Sequence, residues 1–420
     1  MTKAPLRVCA RCLYTELHPL NIVINDDGLC SGCRIHEEKD QIDWSQRQQQ
    51  LAQLLNAYRS RSGQHYDCIV PVSGGRDSYF IVDYIKQVMG MNPLLVTYNP
   101  HYNTALGLRN LAYLRTHSDC DLFTMTVSPH KVKNITRATL RRIGSVYWHV
   151  IAGQTVFPVQ VAVRLKIPLI IWGCHQGIDQ VGMFSHHHFV EMTRKYRHEH
   201  DLMGLEAEDL LSDDDQVFER DIYPFLYPDN QQIAHVGVRG IYLNNYVRWD
   251  SKAQHEAMIA KYGFETSPQP RTFDTYNDGD SFIYSDLHDA IKVLKWGYGK
   301  VVDHACREIR LGRLTREQAQ EKVIKHSQPS PQHQQLFLDW LGMQQSALDF
   351  ILDQHRHPDI WQRDQNWQWQ RVDRYESLSE YRVEKYRLLM SGDCEFIHAN
   401  SRVANKEDAK PPLFIKGFID

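Results

Sequence analysis

Apolar positions along this chain fall into two regimes that meet near residue 270. From Tyr66 onward, short apolar runs alternate with longer stretches of helical spacing. Cys68-Ile69-Val70-Pro71-Val72, Leu94 to Tyr98, Leu122 to Val127, Ile167 to Trp172 and Val236 to Leu243 read as strands. Helical stretches lie around Thr104–Thr116, Lys131–Ile143 and Thr155–Leu165, with another at Ser251–Tyr262. Strands separated by helices predict crossover connections and a mainly parallel sheet covered on both faces. Beyond Pro270 the strand pattern fades. Asp286–Trp296, Val302–Leu311, Thr315–His326 and Gln334–His355 carry helical spacing, and Thr315 with Gln318 forms a capping box. Residues 364–418 mix Trp, charge and short apolar runs and predict no definite element.

The start of the chain follows neither pattern. Its first forty-odd residues are short of apolar runs, bear cysteines and contain the turn Asn25-Asp26-Asp27-Gly28. Trp44 to Arg59 then places Leu51, Leu54, Leu55 and Tyr58 at helical spacing, as in an amphipathic connecting helix. Three parts are therefore expected: a cysteine module at 1–45, an α/β domain at 46–265 and a mostly helical region at 266–420.

Composition narrows the class. The chain has 420 residues, 42% hydrophobic, with 24% charged and a formal net charge of -3. That supports a large core and gives no global pull towards nucleic acid or anionic membrane. Met1 to Leu13 is polar and broken by Pro5, Arg7 and Arg11, so no secretory signal is expected. No apolar run reaches the roughly 20 residues that span a bilayer. Nine cysteines then suit metal ligation and buried thiols in a cytoplasmic setting better than disulfides.

The most informative segment is Val70-Pro71-Val72-Ser73-Gly74-Gly75-Arg76-Asp77-Ser78. A strand runs into two glycines, and a helix opens at about Arg76. Adjacent glycines let backbone N–H groups approach a ligand closely, and the helix start favours an anion. Ser73 and Ser78 add hydroxyls, while Asp77 suits a Mg²⁺ shared with phosphates. A tight strand-to-helix turn with no ligand is the plainer alternative. The order Ser-Gly-Gly-x-Asp-Ser resembles the signature of the PP-loop ATP pyrophosphatases, which split ATP into AMP and pyrophosphate. That resemblance implies ATP held by Val72, Ser73, Gly74, Gly75, Arg76, Asp77 and Ser78. It also implies that the main chain at Thr97, Tyr98 and Asn99 faces the adenine and that the turn Gly173, Cys174 and His175 closes over the nucleotide.

Cys9-x-x-Cys12 and Cys30-x-x-Cys33 are seventeen residues apart. Two such knuckles facing each other make a tetrahedral thiolate site for a structural Zn²⁺, so a zinc-ribbon module is expected. An iron–sulfur cluster or a redox pair are the competing readings.

Farther on, two helical segments meet at Gly297–Gly299. Lys300, His304 and Arg307 follow at i, i+4 and i+7, with Lys295 and Tyr298 just before them. Such cations beside a Gly turn suit a carboxylate or phosphate, although a solvated basic face is the plainer alternative. The paired cysteines, the Ser-Gly-Gly-x-Asp-Ser turn, Ile241 to Asp250 and Lys295 to His304 are together similar to the bacterial N-acetyl sugar amidotransferases. The similarity runs from about Cys9 to Trp369. It implies ATP-dependent conversion of an acetamido group to an acetamidino group, in lipopolysaccharide O-antigen or nonulosonic acid synthesis. Catalytic roles for Ser73, Asp77, Lys295, Lys300 and His304 would follow, with Cys174, His175, Tyr298, Gly299 and Arg307 near the sugar. Cys174-His175 departs from the residues expected after Trp172-Gly173.

The chemistry needs a nitrogen donor. An amide oxygen leaves poorly; its adenylation gives an O-adenylyl imidate that ammonia attacks, releasing AMP. Residue 2 is Thr rather than a nucleophilic Cys, and the glycines around Cys174 are wrongly placed for a nucleophile elbow. A separate glutaminase subunit is therefore the expected ammonia source. The main rival is a tRNA-thiolating PP-loop enzyme with a zinc ribbon, which the charge balance and the scattered lone cysteines disfavour. His186-His187-His188 and Asp213-Asp214-Asp215 read as ordinary surface runs.

Overall fold

A computed structural model describes residues 6–101, 103–277, 279–280 and 282–372. Two helices, α1 Ser31–Glu38 and α2 Trp44–Asn56, precede the sheet. The α/β part then runs β1 Cys68–Pro71, α3 Arg76–Asp83, β2 Pro93–Asn99, α4 Ala105–Ser118, β3 Leu122–Thr126, α5 Pro129–Ile143, α6 Trp148–Leu165 and β4 Leu169–Trp172. Short turns of helix follow at α7 Gln176–Asp179, α8 Arg194–Tyr196 and α9 Glu219–Ile222, then α10 Asn230–Val236, β5 Arg239–Tyr242 and α11 Ser251–Tyr262. The remainder is helical: α12 Phe282–Trp296, α13 Lys300–Arg310, α14 Arg316–Ser327, α15 Gln334–Leu341 and α16 Gln345–Gln354. A hairpin of β6 Trp361–Arg363 and β7 Trp369–Arg371 ends the described part.

The five strands form one parallel sheet in the order β3-β2-β1-β4-β5. The strands β1, β2 and β4 are buried along nearly their whole length, as expected of central parallel strands with helices on both faces. Edge strand β3 leaves Phe123, Thr124 and Thr126 exposed. One helical layer is α6, which lies so close to β2 that a Cβ at Gly153 would sit 2.5 Å from the Tyr98 ring. On the other face, Leu51 and Leu55 of α2, Tyr79 and Val82 of α3 and Met258 of α11 share a core with Val70 and Leu95.

The strand and helix expectations for residues 66–327 hold, but the expected helix over 334–355 is two helices. Gly342 adopts φ +67° and stops α15, and α16 starts three residues later. The stretch that predicted no element contains β7, and its part beyond 372 lies outside the described residues. The cysteine segment is not free-standing. Its Tyr14, Ile22, Ile24 and Ile35 share a core with Val301, Val302 and Cys306 of α13. No helix among the described residues is long and apolar enough to cross a membrane.

Candidate active site

Strand β1 sits between β2, which follows it in the chain, and β4, which comes two crossovers later. Connections therefore leave β1 and β4 in opposite directions, and a crevice opens outside their carboxyl ends. The turn after β1 and the turn after β4 both line it. A cleft of about 660 Å³ there contains Ser73, Gly75, Arg76, Asp77 and Ser78 on one side and Cys174, Gln176 and Asp179 on another. Further parts of its wall come from the helical region, with Lys295, Lys300, His304 and Arg307, from the cysteine segment, with Tyr14 and His18, and from α6 and its approach, with Tyr147 and Gln154.

The glycine turn is built for close approach. Gly75 is the N-cap of α3 and supplies no side-chain cap, which leaves the helix start open to an anion. Within the turn, the Ser73 N–H donates to Ser78 Oγ at 2.9 Å and the Gly75 N–H to Ser73 Oγ at 3.0 Å. Gly74 presses against Gly107 of α4: a Cβ there would fall 2.8 Å from the Gly107 carbonyl carbon. Against the other side of Gly107 lies the backbone of Asp280, held by the Thr104 N–H donating to the Asp280 carbonyl at 3.2 Å. Residues near 280 therefore roof the turn.

Asp274 joins that turn to α13. Its carboxylate accepts from Arg307 at 2.7 Å and stands 3.7 Å from Arg76 of the turn. His304 is held by Thr272 Oγ1 at 2.6 Å and by Asn277, which also donates to Asp274 at 2.8 Å. Although burial alone raises the Asp274 carboxyl, His304, Arg76 and Arg307 hold it well below the usual carboxylate range. The cations of this helix are thus mostly tied down rather than solvated. Lys300 donates to Gln269 at 3.0 Å and to Ser285 at 2.7 Å, and its backbone N–H is capped by Asp289. Asp289 also pairs with buried Arg271 at 2.6 Å. Gly299 admits that cap, since a Cβ there would lie 2.9 Å from Asp289 Oδ1. Lys295 donates to the Ile143 carbonyl at 2.6 Å, and burial lowers its ammonium to about 8.

Not all expected residues reach the cleft. Val72 and, within the turn, Gly74 are not part of the lining, nor are Thr97, Tyr98 and Asn99 at the end of β2. Tyr98 is buried under α6, 3.0 Å from His149 Nδ1. Gly173 and His175 also stand back from the lining. The His175 ring packs 4.3 Å from Tyr196 and 4.5 Å from Tyr242, and burial lowers it to about 3. Cys174 does line the cleft, but burial raises its thiol well above the ordinary value, so it stays protonated. Tyr298 and Gly299 lie just outside the wall. Asp274, Arg271, Asp289 and His18 were not singled out by the sequence, because each takes its role from distant residues.

The four N-terminal cysteines converge. Their sulfurs lie within 4.8 Å of one another and all four side chains are fully buried. Cys9 and Cys33 sulfurs are 3.9 Å apart, and those of Cys12 and Cys30 are 3.6 Å apart. Zinc–sulfur bonds of ~2.3 Å in a tetrahedron put sulfurs ~3.8 Å apart, so the donor set fits a zinc-sized ion with no open position. The Cys30 N–H points at Cys9 Sγ at 3.3 Å. Arg310 stands 3.6 Å from Cys30 Sγ and donates to the Gln180 carbonyl at 2.6 Å. Arg316 donates to the Cys9 carbonyl at 2.7 Å, and the Leu13 N–H to Cys306 Sγ at 3.3 Å. These contacts fasten the knuckles to α13 and α14.

No curated protein matches the chain. Residues 270–376, which contain Asp274, Lys295, Lys300, His304 and Arg307, match the family described as LPS biosynthesis protein WbpG-like, C-terminal domain. Over that segment the chain is similar to a family of lipopolysaccharide-biosynthesis proteins.

Proposed function

We propose that the protein is an ATP-dependent, AMP-forming amidotransferase that turns the acetamido group of an N-acetyl sugar into an acetamidino group. The observation that carries this reading is the shared cleft. A glycine turn at the sheet's switch point faces, across one cavity, the cations of the segment that matches the lipopolysaccharide family. On this reading the turn Ser73–Ser78 holds the phosphates of ATP. The open start of α3 and the Arg76 guanidinium, whose Nη1 is buried without a hydrogen bond, suit an anion there. Asp77 would hold Mg²⁺, which supplies charge neutralisation for the departing pyrophosphate.

Lys295, Lys300 and His304 then lie where a substrate carboxylate or phosphate and the transferring AMP need positive charge. The amide oxygen attacks the α-phosphate; its bond to phosphorus forms as the bond to pyrophosphate breaks. Ammonia adds to the imidate carbon, AMP leaves, and an amidine remains. A protonated, half-buried Cys174 is a poor nucleophile, which favours a separate glutaminase as the ammonia source. The same reading places the enzyme in the cytoplasm, where ATP and nucleotide-linked sugars are found.

The test is purified protein with MgATP, ammonium and a panel of N-acetyl sugars, following AMP release and sugar mass together. Replacement of oxygen by NH on one sugar, coupled to AMP and lost in Asp77→Ala, is expected. AMP release stimulated by tRNA, with no sugar converted, would overturn the proposal in favour of a tRNA-modifying enzyme.

A further inference from the structure

The loop between the two cysteine pairs brings a residue to the cleft that the phosphate chemistry leaves unused. His18 is only 4% exposed, yet it lines the cavity together with Pro19 and Leu20. Its ring stacks on Tyr298 at 5.4 Å and meets Tyr14 edge-on at 4.8 Å. The Leu20 backbone N–H donates to His18 Nδ1 at 3.1 Å. An Nδ1 that accepts is unprotonated, so the neutral ring carries its proton on Nε2. That Nε2 is buried and has no hydrogen-bond partner among the described residues. The Tyr298 hydroxyl, on the ring stacked against it, is in the same position. Buried donors are paired almost everywhere in folded proteins, and leaving one unmade is costly. Two on one aromatic stack beside a cavity indicate that a ligand atom completes the set.

The surroundings define the chemistry of that ligand. Burial first, then the charges of Lys292 and Arg310, hold the imidazole well below its ordinary value, so it is a neutral donor and not a cation. Lys292 Nζ lies 4.4 Å from the Tyr298 ring centroid and pairs with Asp303. Asp303 also accepts from the Tyr14 hydroxyl at 2.9 Å and from Gln180 at 2.9 Å. A neutral donor on the cavity wall, with fixed polar groups beside it, suits an oxygen-rich ligand such as a pyranose.

We propose that His18 is a substrate-binding residue whose Nε2–H donates to an acceptor oxygen of the sugar, so that the cysteine module forms part of the substrate site itself. This rests on the sugar reading given above. It makes the metal knuckles responsible for substrate recognition as well as for folding, because they fix the loop that carries His18.

The experiment compares His18→Asn and His18→Gln in the full-length, metal-loaded protein. Asn keeps an acceptor where Nδ1 was but offers no donor where Nε2 was; Gln can reach the Nε2 position with its amide N–H. The probes are N-acetylhexosamines and N-acetylhexosaminuronic acids, free and linked to a nucleoside diphosphate, titrated alongside a nonhydrolysable ATP analogue. Bound zinc is measured for each protein. Loss of one neutral hydrogen bond gives His18→Asn a sugar affinity about tenfold weaker and a KM raised to match, with kcat within about twofold of the parent. His18→Gln stays close to the parent, and ATP-analogue affinity and zinc content stay unchanged in both. Equal sugar affinity in all three proteins overturns the inference. So does a loss in both variants that includes zinc or ATP-analogue binding, which assigns His18 a structural role. If the parent binds none of these sugars, the sugar reading fails and the inference falls with it.

Discussion

Replacing Gly74 by Ala probes the glycine turn most directly. The backbone at Gly74 is not left-handed, so the substitution is torsionally allowed and its effect is purely steric. The new methyl would lie 2.8 Å from the Gly107 carbonyl carbon and 3.0 Å from Gly107 Cα, against the ~3.5–4.0 Å that carbon pairs prefer. Gly107 cannot retreat. Its N–H is held by Thr104 Oγ1 at 2.9 Å, and its far side carries Asp280, whose Cβ would be 2.8 Å from any side chain placed there. The turn itself must therefore shift by ~1 Å, at a cost of about 1–3 kcal/mol of stability. A shift of that size also misaligns the N–H groups, and the affinity for an ATP analogue should fall at least about tenfold. Gly75→Ala is the control. Its methyl meets only Ser73 Oγ at 3.0 Å and the Asp280 carboxylate at 3.5 Å, both side chains that can move, so its stability cost should stay below about 1 kcal/mol. Denaturant unfolding and analogue titration read both effects. A Gly74→Ala protein as stable and as tight-binding as the parent would refute this account of the turn, and so would a larger loss in Gly75→Ala.

Two other tests concern buried charge and metal. Burial lowers Lys295 to about 8 from an ordinary 10.5, so between those values the unfolded chain binds more protons and stability rises with pH. Lys295→Met should flatten that rise when unfolding is compared at about pH 7.5 and 9.5, and an unchanged slope would show that Lys295 is not its source. If the four cysteines hold zinc, Cys30→Ser should remove it and lower Tm by about 10 °C or more, because metal binding at such a closed site is folding energy. Full metal content in that variant, read by elemental analysis, would contradict the four-cysteine site.

The sheet was legible because each strand is a short apolar run bounded by turn formers, and parallel strands leave that imprint when both faces are covered. The shape of the glycine turn and the pairing of the cysteines were legible for a related reason: each is set by neighbouring residues. The cleft's far wall was not. Asp274 sits in a stretch with no periodicity, yet it ties Arg76 to Arg307 across 198 and 33 residues of sequence respectively. His18 resembles any surface histidine until Tyr298 and Leu20 are placed around it. The Tyr98 side chain was equally illegible: it packs under α6, because Gly153 lets that helix close over the ring. Helix breaks were legible only where glycine coincided with a loss of periodicity, which is why Gly342 divided a segment that scanned as continuous.

The Leu13 contact with Cys306 joins residues 293 positions apart. During synthesis the cysteine module leaves the ribosome early, while the helices that cover Tyr14 and Ile35 follow much later. At ~5–20 residues per second the nascent module waits ~15–60 s with that apolar surface uncovered. A metal ion captured early by the four cysteines would keep the waiting knuckles from oxidation or aggregation until those helices arrive.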